Sequence, residues 1–365
     1  MGRVANAGAG RVCTIWLLIA ASIAWAGVFV GARVSPSDFV DLQIEAARLM
    51  RDCTAAIAAQ RVGLGIPIDS DLDPNRTGLI GYEFTEITTS MGLLEAKRTS
   101  TNPAFAALMV RYFHAIGLQP GDVVAVGASG SFPALILATL SAARVMDLKP
   151  VIVYSVGASS FGANIPGFTF IEMLRCCRAN ALLAYDIDAV SLGGDADAGL
   201  GAGFGDSVAL MMRIAEGAGV PIIREERIGD SIQRRLDIFD EVAGRAGRPV
   251  GCFVNVGGNS ANYGNTMASL DFPNGLVNRP PVMATHPERG LIFEYAARGV
   301  PVINLLDVRG LAVKNGLPVD PVPMPGIGEG NVYKVQRSAR WASAVFVFGA
   351  IAAAGVGIRR HVKKR

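Results

Sequence analysis

Histidine and charge are both scarce in this 365-residue chain. It holds three histidines, and Asp, Glu, Lys and Arg make up only 18% of residues, below the quarter usual in soluble domains. Five cysteines occur without any CxxC or Cys/His spacing, which excludes the common zinc modules. The adjacent Cys176 and Cys177 are poorly placed to pair with each other, so buried structural thiols are the expectation. Gly-Lys never occurs, so there is no Walker A phosphate loop. The glycines of Gly199–Gly205 alternate without forming G-x-G-x-x-G, which removes the dinucleotide fingerprint. Asp69, Asp71 and Asp73 begin like a calcium loop, but Pro74 stands where Gly is needed and Ile80 where Glu is needed. An EF-hand is excluded, a looser carboxylate site is left open, and no metal ligands are assigned. No internal repeat or low-complexity tract is present.

What the chain has in quantity is apolar residues, 51% of the total, enough to rule out disorder as a whole-chain state. Two uncharged runs stand out, Val12–Ala32 and Trp341–Ile358. A membrane-crossing helix needs about 20 apolar residues, so both runs are expected to span a bilayer. A cleaved secretory signal is the rival reading of the first, with Ala24-Trp25-Ala26 as a small-x-small site. Arg3 and Arg11 precede the first run, and Arg359, Arg360, Lys363, Lys364 and Arg365 follow the second. This bias predicts both termini in the cytoplasm and the middle outside it. Without those seven residues the remainder carries 27 Lys and Arg against 31 Asp and Glu. The net +3 therefore belongs to the tails, and nucleic acid is not an expected partner.

From about Asp122 a short β-branched run, a glycine-rich turn and an amphipathic helix alternate. Candidate strands are Val123–Val126, Val151–Val156, Ala189–Leu192, Pro221–Arg224, Gly251–Val256 and Val302–Leu305, with helical patterns at Ala134–Met146, Ser207–Gly217 and Ile232–Ala246. This grammar predicts a doubly wound, Rossmann-like α/β fold, a mostly parallel sheet with helices on both faces, here flanked by an N-terminal and a C-terminal transmembrane helix. The expected organisation is a cytoplasmic tail (1–11), a transmembrane helix (12–32), and a membrane-proximal helix with a polar, loop-rich segment packing on the main domain (33–117). Then come the α/β domain (118–317), a Pro/Gly-rich stalk or wrapping loop (318–340), a second transmembrane helix (341–358) and a basic cytoplasmic tail (359–365). Ser37–Ala59 is expected to be helical, with Pro36 near its first turn.

In such folds ligands bind beyond the carboxyl ends of the strands, where this chain concentrates its special residues. Gly127, Ser129, Gly130 and Ser131 follow the first strand; Ser159, Ser160 and Asn164 the second; Gly194 and Asp195 the third; Gly257, Gly258, Asn259 and Ser260 the fifth. Ser129 sits in an imperfect G-x-S-x-G, because Ser131 replaces the last glycine. As a nucleophile it would need a base. His361 is in the tail and His114 in a helix, which leaves His286 oriented by Asp307 or Asp195, or else Lys97 in a Ser–Lys pair. The simpler alternative is a turn whose amides and hydroxyls hold an anion or cap a helix. No cofactor is indicated.

The run Asn75-Arg76-Thr77-Gly78-Leu79-Ile80-Gly81, with Thr88-Thr89, Gly92, Lys97-Arg98-Thr99 and Asn102-Pro103, resembles the poly-γ-glutamate system protein family of the PgsW type. Pro166-Gly167-Phe168-Thr169, Gly299-Val300-Pro301-Val302-Ile303-Asn304, Gly316-Leu317-Pro318 and Gly328-Glu329-Gly330 fit the same pattern, and the resemblance covers roughly residues 70 to 335. It implies an accessory of poly-γ-glutamate synthesis or export, for capsule or secreted polymer. Such an accessory would sit at the lipid bilayer beside other membrane components of that system, its outer domain binding an anionic chain or precursor. The alternative from the residues is a serine hydrolase or transferase acting on an amide or ester through Ser129. The resemblance assigns no catalytic residue.

Overall fold

The computed structural model describes residues 15–16, 18–23, 25, 32–201, 207–286, 288–338 and 340–362. In chain order its elements are β1 (Ala32–Pro36), α1 (Val40–Gly63), β2 (Thr88–Ser90), α2 (Leu94–Ser100), α3 (Ala104–Ile116), β3 (Val123–Ser129), α4 (Pro133–Val145) and β4 (Lys149–Ser155). They continue with β5 (Ala158–Ser159), α5 (Phe170–Ala179), β6 (Ala189–Ser191), α6 (Ser207–Gly217), β7 (Ile222–Ile223), α7 (Ile228–Arg245) and β8 (Val250–Val256). The last are α8 (Ser260–Tyr263), α9 (Met267–Leu270), β9 (Gly275–Val277), α10 (Leu291–Ala297), β10 (Val302–Leu305), α11 (Val308–Lys314), β11 (Lys334–Ser338) and α12 (Arg340–Val362).

Side-chain alternation along the strands builds two cores. Val123 and Ala125 of β3, Val151 and Val153 of β4 and Phe253 of β8 face one way, against Ile232, Leu236 and Phe239 of α7 and Tyr295 of α10. Val124 and Val126, Ile152 and Tyr154, and Cys252 and Val254 face the other, against α1, α3, α4 and α5. A parallel strand buried on both faces reads as a near-continuous apolar run, as Val123–Val126 of β3 does. Helix α1 closes the second core with Ala46, Met50, Cys53 and Ile57, spaced three or four apart on one face.

The seven-stranded sheet has the order β7-β6-β4-β3-β8-β10-β9. The first six strands are parallel; β9 runs antiparallel to β10 and makes the sheet mixed. No run in the sequence announced β9, because three residues at an edge are too few to show a period. The chain builds outward from β3 to β7 and then returns to the other side of β3 with β8. The strand order therefore reverses between β3 and β8, which is where doubly wound sheets open a crevice at their carboxyl ends. A separate parallel pair, β2 with β5, matches Thr88 to Ala158 and Ser90 to Ser159.

Two compact units are present, Phe39–Tyr333 and the combination of Met1–Asp38 with Lys334–Arg365. The first contains the sheet, its helices and the proline-rich segment after Leu317. That segment wraps the unit instead of standing away as a stalk: Asp320 pairs with Arg98, its N–H donates to Thr99 Oγ1 at 2.9 Å, and Asn75 Nδ2 donates to the Pro321 carbonyl at 2.8 Å. In the second unit β1 and β11 pair antiparallel from Ala32–Ser338 to Pro36–Lys334, next to α12. Pro36 thus ends a strand, where its missing N–H is tolerated, and does not open α1.

The structure does not support the two expected flanking transmembrane helices, or with them the anchored topology with cytoplasmic termini and an outer domain. Among the described residues no helix is long and apolar enough to cross a membrane. The expected first span already becomes strand at Ala32, and 12–14, 17, 24 and 26–31 lie outside the described residues. Helix α12 mixes Val345, Val347, Phe348 and Ile351 with small residues such as Ala344, Gly349, Ala350 and Gly355 between Arg340 and Arg359. The small residues supply little apolar surface each and dilute the run. An uncharged run in a sequence is therefore not equivalent to a spanning helix.

Candidate functional site

A cavity of about 450 Å³ opens at the carboxyl ends of the parallel strands, within the usual size range of small-molecule sites. All four glycine/serine turns reach it. Ser129 and Ser131 come from the β3 turn, Gly157 and Ser159 from the β4 turn, Gly194 and Asp195 from the β6 turn, and Gly258, Asn259 and Ser260 from the β8 turn. The remaining wall comes from Thr89–Leu93 and Glu95–Lys97 around β2 and α2, and from Leu306–Arg309 before and within α11. Parallel strands explain the convergence, since every carboxyl end points the same way.

Lys97 is the most unusual group in the wall. Its side chain is buried, and Nζ donates to Ser159 Oγ at 2.6 Å and to the Ser131 carbonyl. Nζ also sits 3.7 Å from the centre of the Phe132 ring, a cation–π distance. Among the described residues no carboxylate pairs with it. Burial therefore pushes its pKa down from 10.5 to about 7, since desolvation penalises the charged form. The β2–β5 pairing brings this lysine to its serine: it fixes the chain entering α2 against Ser159. Gly92 leaves the room, because a Cβ there would lie 2.6 Å from the Ser160 carbonyl and 3.1 Å from both Lys97 Cε and Ser159 Oγ.

The serines form a chain of their own. Ser129 Oγ donates to Ser131 Oγ at 3.0 Å, Ser131 N–H donates back to Ser129 Oγ at 3.2 Å, and Ser159 N–H donates to Ser131 Oγ at 3.0 Å. Immediately after them α4 begins, with Pro133 in its first turn, so the positive end of a 13-residue helix adjoins the hydroxyls. Gly257 makes the β8 turn at φ +86°, and a Cβ there would come within 3.1 Å of Ser129 Cβ.

Behind the wall lies a buried polar network. Asp197 and Arg235 pair at 2.7 Å with side chains 2% and 1% exposed. Ser231 donates to Asp197 Oδ2 at 2.7 Å, and Ser191 and Asn259 Nδ2 donate to Oδ1 at 2.8 and 3.1 Å. Asn259 also donates to Ser155 Oγ, while its Oδ1 accepts from the N–H groups of Ala261 and Asn262. Burial alone would raise the Asp197 pKa; the Arg235 charge and the hydrogen bonds from Arg235, Ser231 and Asn259 outweigh that and hold it below the ordinary carboxylate value. Asn259 thus joins the β8 turn to β4 and to the loop after β6.

Several sequence candidates have other roles. Lys97 bonds Ser159 and not Ser129. His286 does not line the cavity; it is exposed, and its Nδ1 accepts from the Glu288 N–H at 3.1 Å. Asp307 lines the cavity but caps α11, its Oδ1 accepting from the Gly310 N–H. Gly127 is buried in β3, where a Cβ would meet the Asn262 side chain at 2.5 Å. Gly130 and Gly257 shape turns without lining the cavity. Asn164 is buried and spent on Tyr82 and Thr88, and Ser160 Oγ is buried without a partner among the described residues.

Residues that sequence reasoning passed over are Glu95 and Arg309, paired at 3.1 Å, Phe132 under Lys97, and the exposed Met91 and Leu93 at the cavity. The Asp69–Asp73 segment is occupied by its own backbone: Asp73 accepts from Thr77 Oγ1 and the Gly78 N–H. Among the described residues no group of three His, Cys, Asp or Glu side chains is arranged to hold a metal ion. Cys53, Cys176, Cys177 and Cys252 are free and buried.

Fold and cavity define a doubly wound α/β protein with a cavity at its topological switch point. Comparison with protein-family models, with curated proteins and with solved structures gives no match.

Proposed function

We propose that the cavity binds a glutamyl-type ligand, a γ-linked chain or its precursor, and that the protein serves as an accessory of poly-γ-glutamate synthesis or export together with other components of that system. The resemblance noted in the sequence supplies the pathway. One observation carries the binding: the N-terminal end of α4, the Ser129 and Ser131 hydroxyls and Lys97 meet on one wall of a 450 Å³ cavity. A carboxylate is favoured beside a helix N-terminus and hydroxyl donors. The other lining charges are mixed, with Asp195, Asp307 and the Glu95–Arg309 pair. That mixture suits an amino-acid unit, which offers N–H donors or an ammonium as well as a carboxylate.

Titration calorimetry with short γ-linked glutamyl oligomers tests the binding, with α-linked oligomers of equal length as the control. Saturable heat is expected for the γ-linked series and a roughly tenfold weaker response in a Ser129→Ala/Ser131→Ala variant, about 1.4 kcal/mol. Absence of saturable heat with either series removes the binding reading. The pathway is tested by polymer yield in a deletion strain; unchanged yield removes that assignment.

A further inference from the structure

We propose that Ser159 is a nucleophile and Lys97 its general base, so that the cavity forms an acyl-enzyme from an amide or ester. This goes beyond ligand binding and does not depend on it.

The geometry meets the requirement of a nucleophile–base pair. Ser159 Oγ and Lys97 Nζ are 2.6 Å apart, within the reach demanded of such pairs. Both residues line the cavity, and both are buried, so the pair is withdrawn from bulk water. Three contacts hold Nζ in place: the Ser131 carbonyl, the Phe132 ring and Ser159 itself. Ser159 is positioned in turn by its N–H bond to Ser131 Oγ and by the β2–β5 pairing. Ser129, the serine in the elbow-like turn, faces Ser131 and has no base within hydrogen-bond distance among the described residues.

A lysine serves as a base only when neutral, and burial without a carboxylate partner brings Lys97 to about 7. Among the described residues the other charged groups lining the cavity are Glu95 on α2, Asp195 after β6, and Asp307 and Arg309 at α11, while Arg98, next to Lys97 on α2, is paired with Asp320. Glu95 is paired with Arg309 and Asp307 caps α11; none of the four hydrogen-bonds Nζ. With the amine neutral, the 2.6 Å contact reverses, the hydroxyl donating to the nitrogen lone pair.

The step balances within the pair and the substrate. Ser159 Oγ attacks the carbonyl carbon as its proton passes to Nζ, forming the Oγ–C bond and an oxyanion. Collapse breaks the bond from that carbon to the amine nitrogen or alkoxide oxygen, and the Lys97 ammonium returns the proton to the departing group. Water or a second amine then attacks the Ser159 ester, again losing its proton to Nζ, which hands it back to Oγ.

The test uses the full chain with an alkyl fluorophosphonate, a probe without a carboxylate, followed by peptide mass mapping. Attack by a serine displaces fluoride and leaves a stable phosphonyl ester. The expected result is one adduct, on Ser159, formed at a rate that rises through pH 7 and levels off above it. Lys97→Arg, folded by circular dichroism, is expected to slow labelling by roughly 10²-fold or more, the usual worth of a positioned base. No adduct on the wild type, an adduct on Ser129 instead, or a rate unchanged by Lys97→Arg overturns the proposal. Oligomer binding measured on Ser159→Ala separates this failure from a failure of the binding reading.

Discussion

Asp197 and Arg235 form an ion pair 2.7 Å apart, both side chains almost wholly withdrawn from solvent, one hydrogen bond behind the cavity wall through Asn259. Serines from β4 and β6, the β8 turn and α7 all meet around this pair. The carboxyl ends of the sheet are therefore locked to one another by a satisfied polar cluster, and the cavity inherits its shape from that cluster.

Breaking the pair on one side should be severe. Arg235→Met leaves a buried carboxylate uncompensated, for which a loss of about 3–5 kcal/mol is expected in denaturant unfolding. Adding Asp197→Asn to that variant should recover part of the loss, because the stranded charge disappears. The Asp197 carboxyl has its pKa depressed in the folded state, so its contribution is present above the ordinary carboxylate pKa of about 4. That contribution is lost as pH falls through the lower folded value. Acid unfolding of Asp197→Asn should consequently show a shallower dependence on pH below about 4 than the wild type. Equal slopes would mean that the pair is not the acid-sensitive element.

Lys97 predicts a dependence of the same sign in a more alkaline window. Its folded pKa is lowered from 10.5 to about 7, so between those values the unfolded chain holds a proton that the folded chain has released. Stability must then rise with pH across that window. Below about 7 the folded state carries the full penalty of a buried ammonium, on the order of a few kcal/mol. In Lys97→Met this dependence vanishes, so the wild type should gain on the variant as pH rises from 7 toward 10. Unfolding midpoints of the two proteins measured at several pH values check this; curves that stay parallel would refute the burial argument.

Two glycines should respond with opposite signs. Gly92→Ala pushes a methyl group against the Ser160 carbonyl, Lys97 and Ser159, and overpacking of this kind costs about 1–3 kcal/mol. Gly244 lies inside α7 with nothing within 4 Å of an added Cβ. Gly244→Ala should stabilise the protein by about 0.5–1 kcal/mol, through helix propensity and a less flexible unfolded chain. Thermal unfolding of the two variants beside the wild type separates them, and a destabilised Gly244→Ala would contradict the open surface at α7.

What the sequence determined by itself is the local grammar. The apolar runs at Val123, Val151 and Gly251 lie in strands of the sheet because β-branched residues buried on both faces leave a continuous signature. The glycine and serine turns could be placed at strand ends for the same reason: chain punctuation is local. Tertiary structure decided everything that depends on which strand lies beside which. The reversal between β3 and β8, the antiparallel β9 and the wrapping of the proline-rich segment have no local signature. Lys97 reaches Ser159 across 62 residues only because β2 pairs with β5, and the plausible partner by motif, Ser129, is turned toward Ser131 instead. The uncharged terminal runs show the same limit, since charge counted along a chain does not report how long or how apolar the resulting helix is. A hydrogen bond is fixed by distance and direction in space, and the order of residues constrains these only within a few positions.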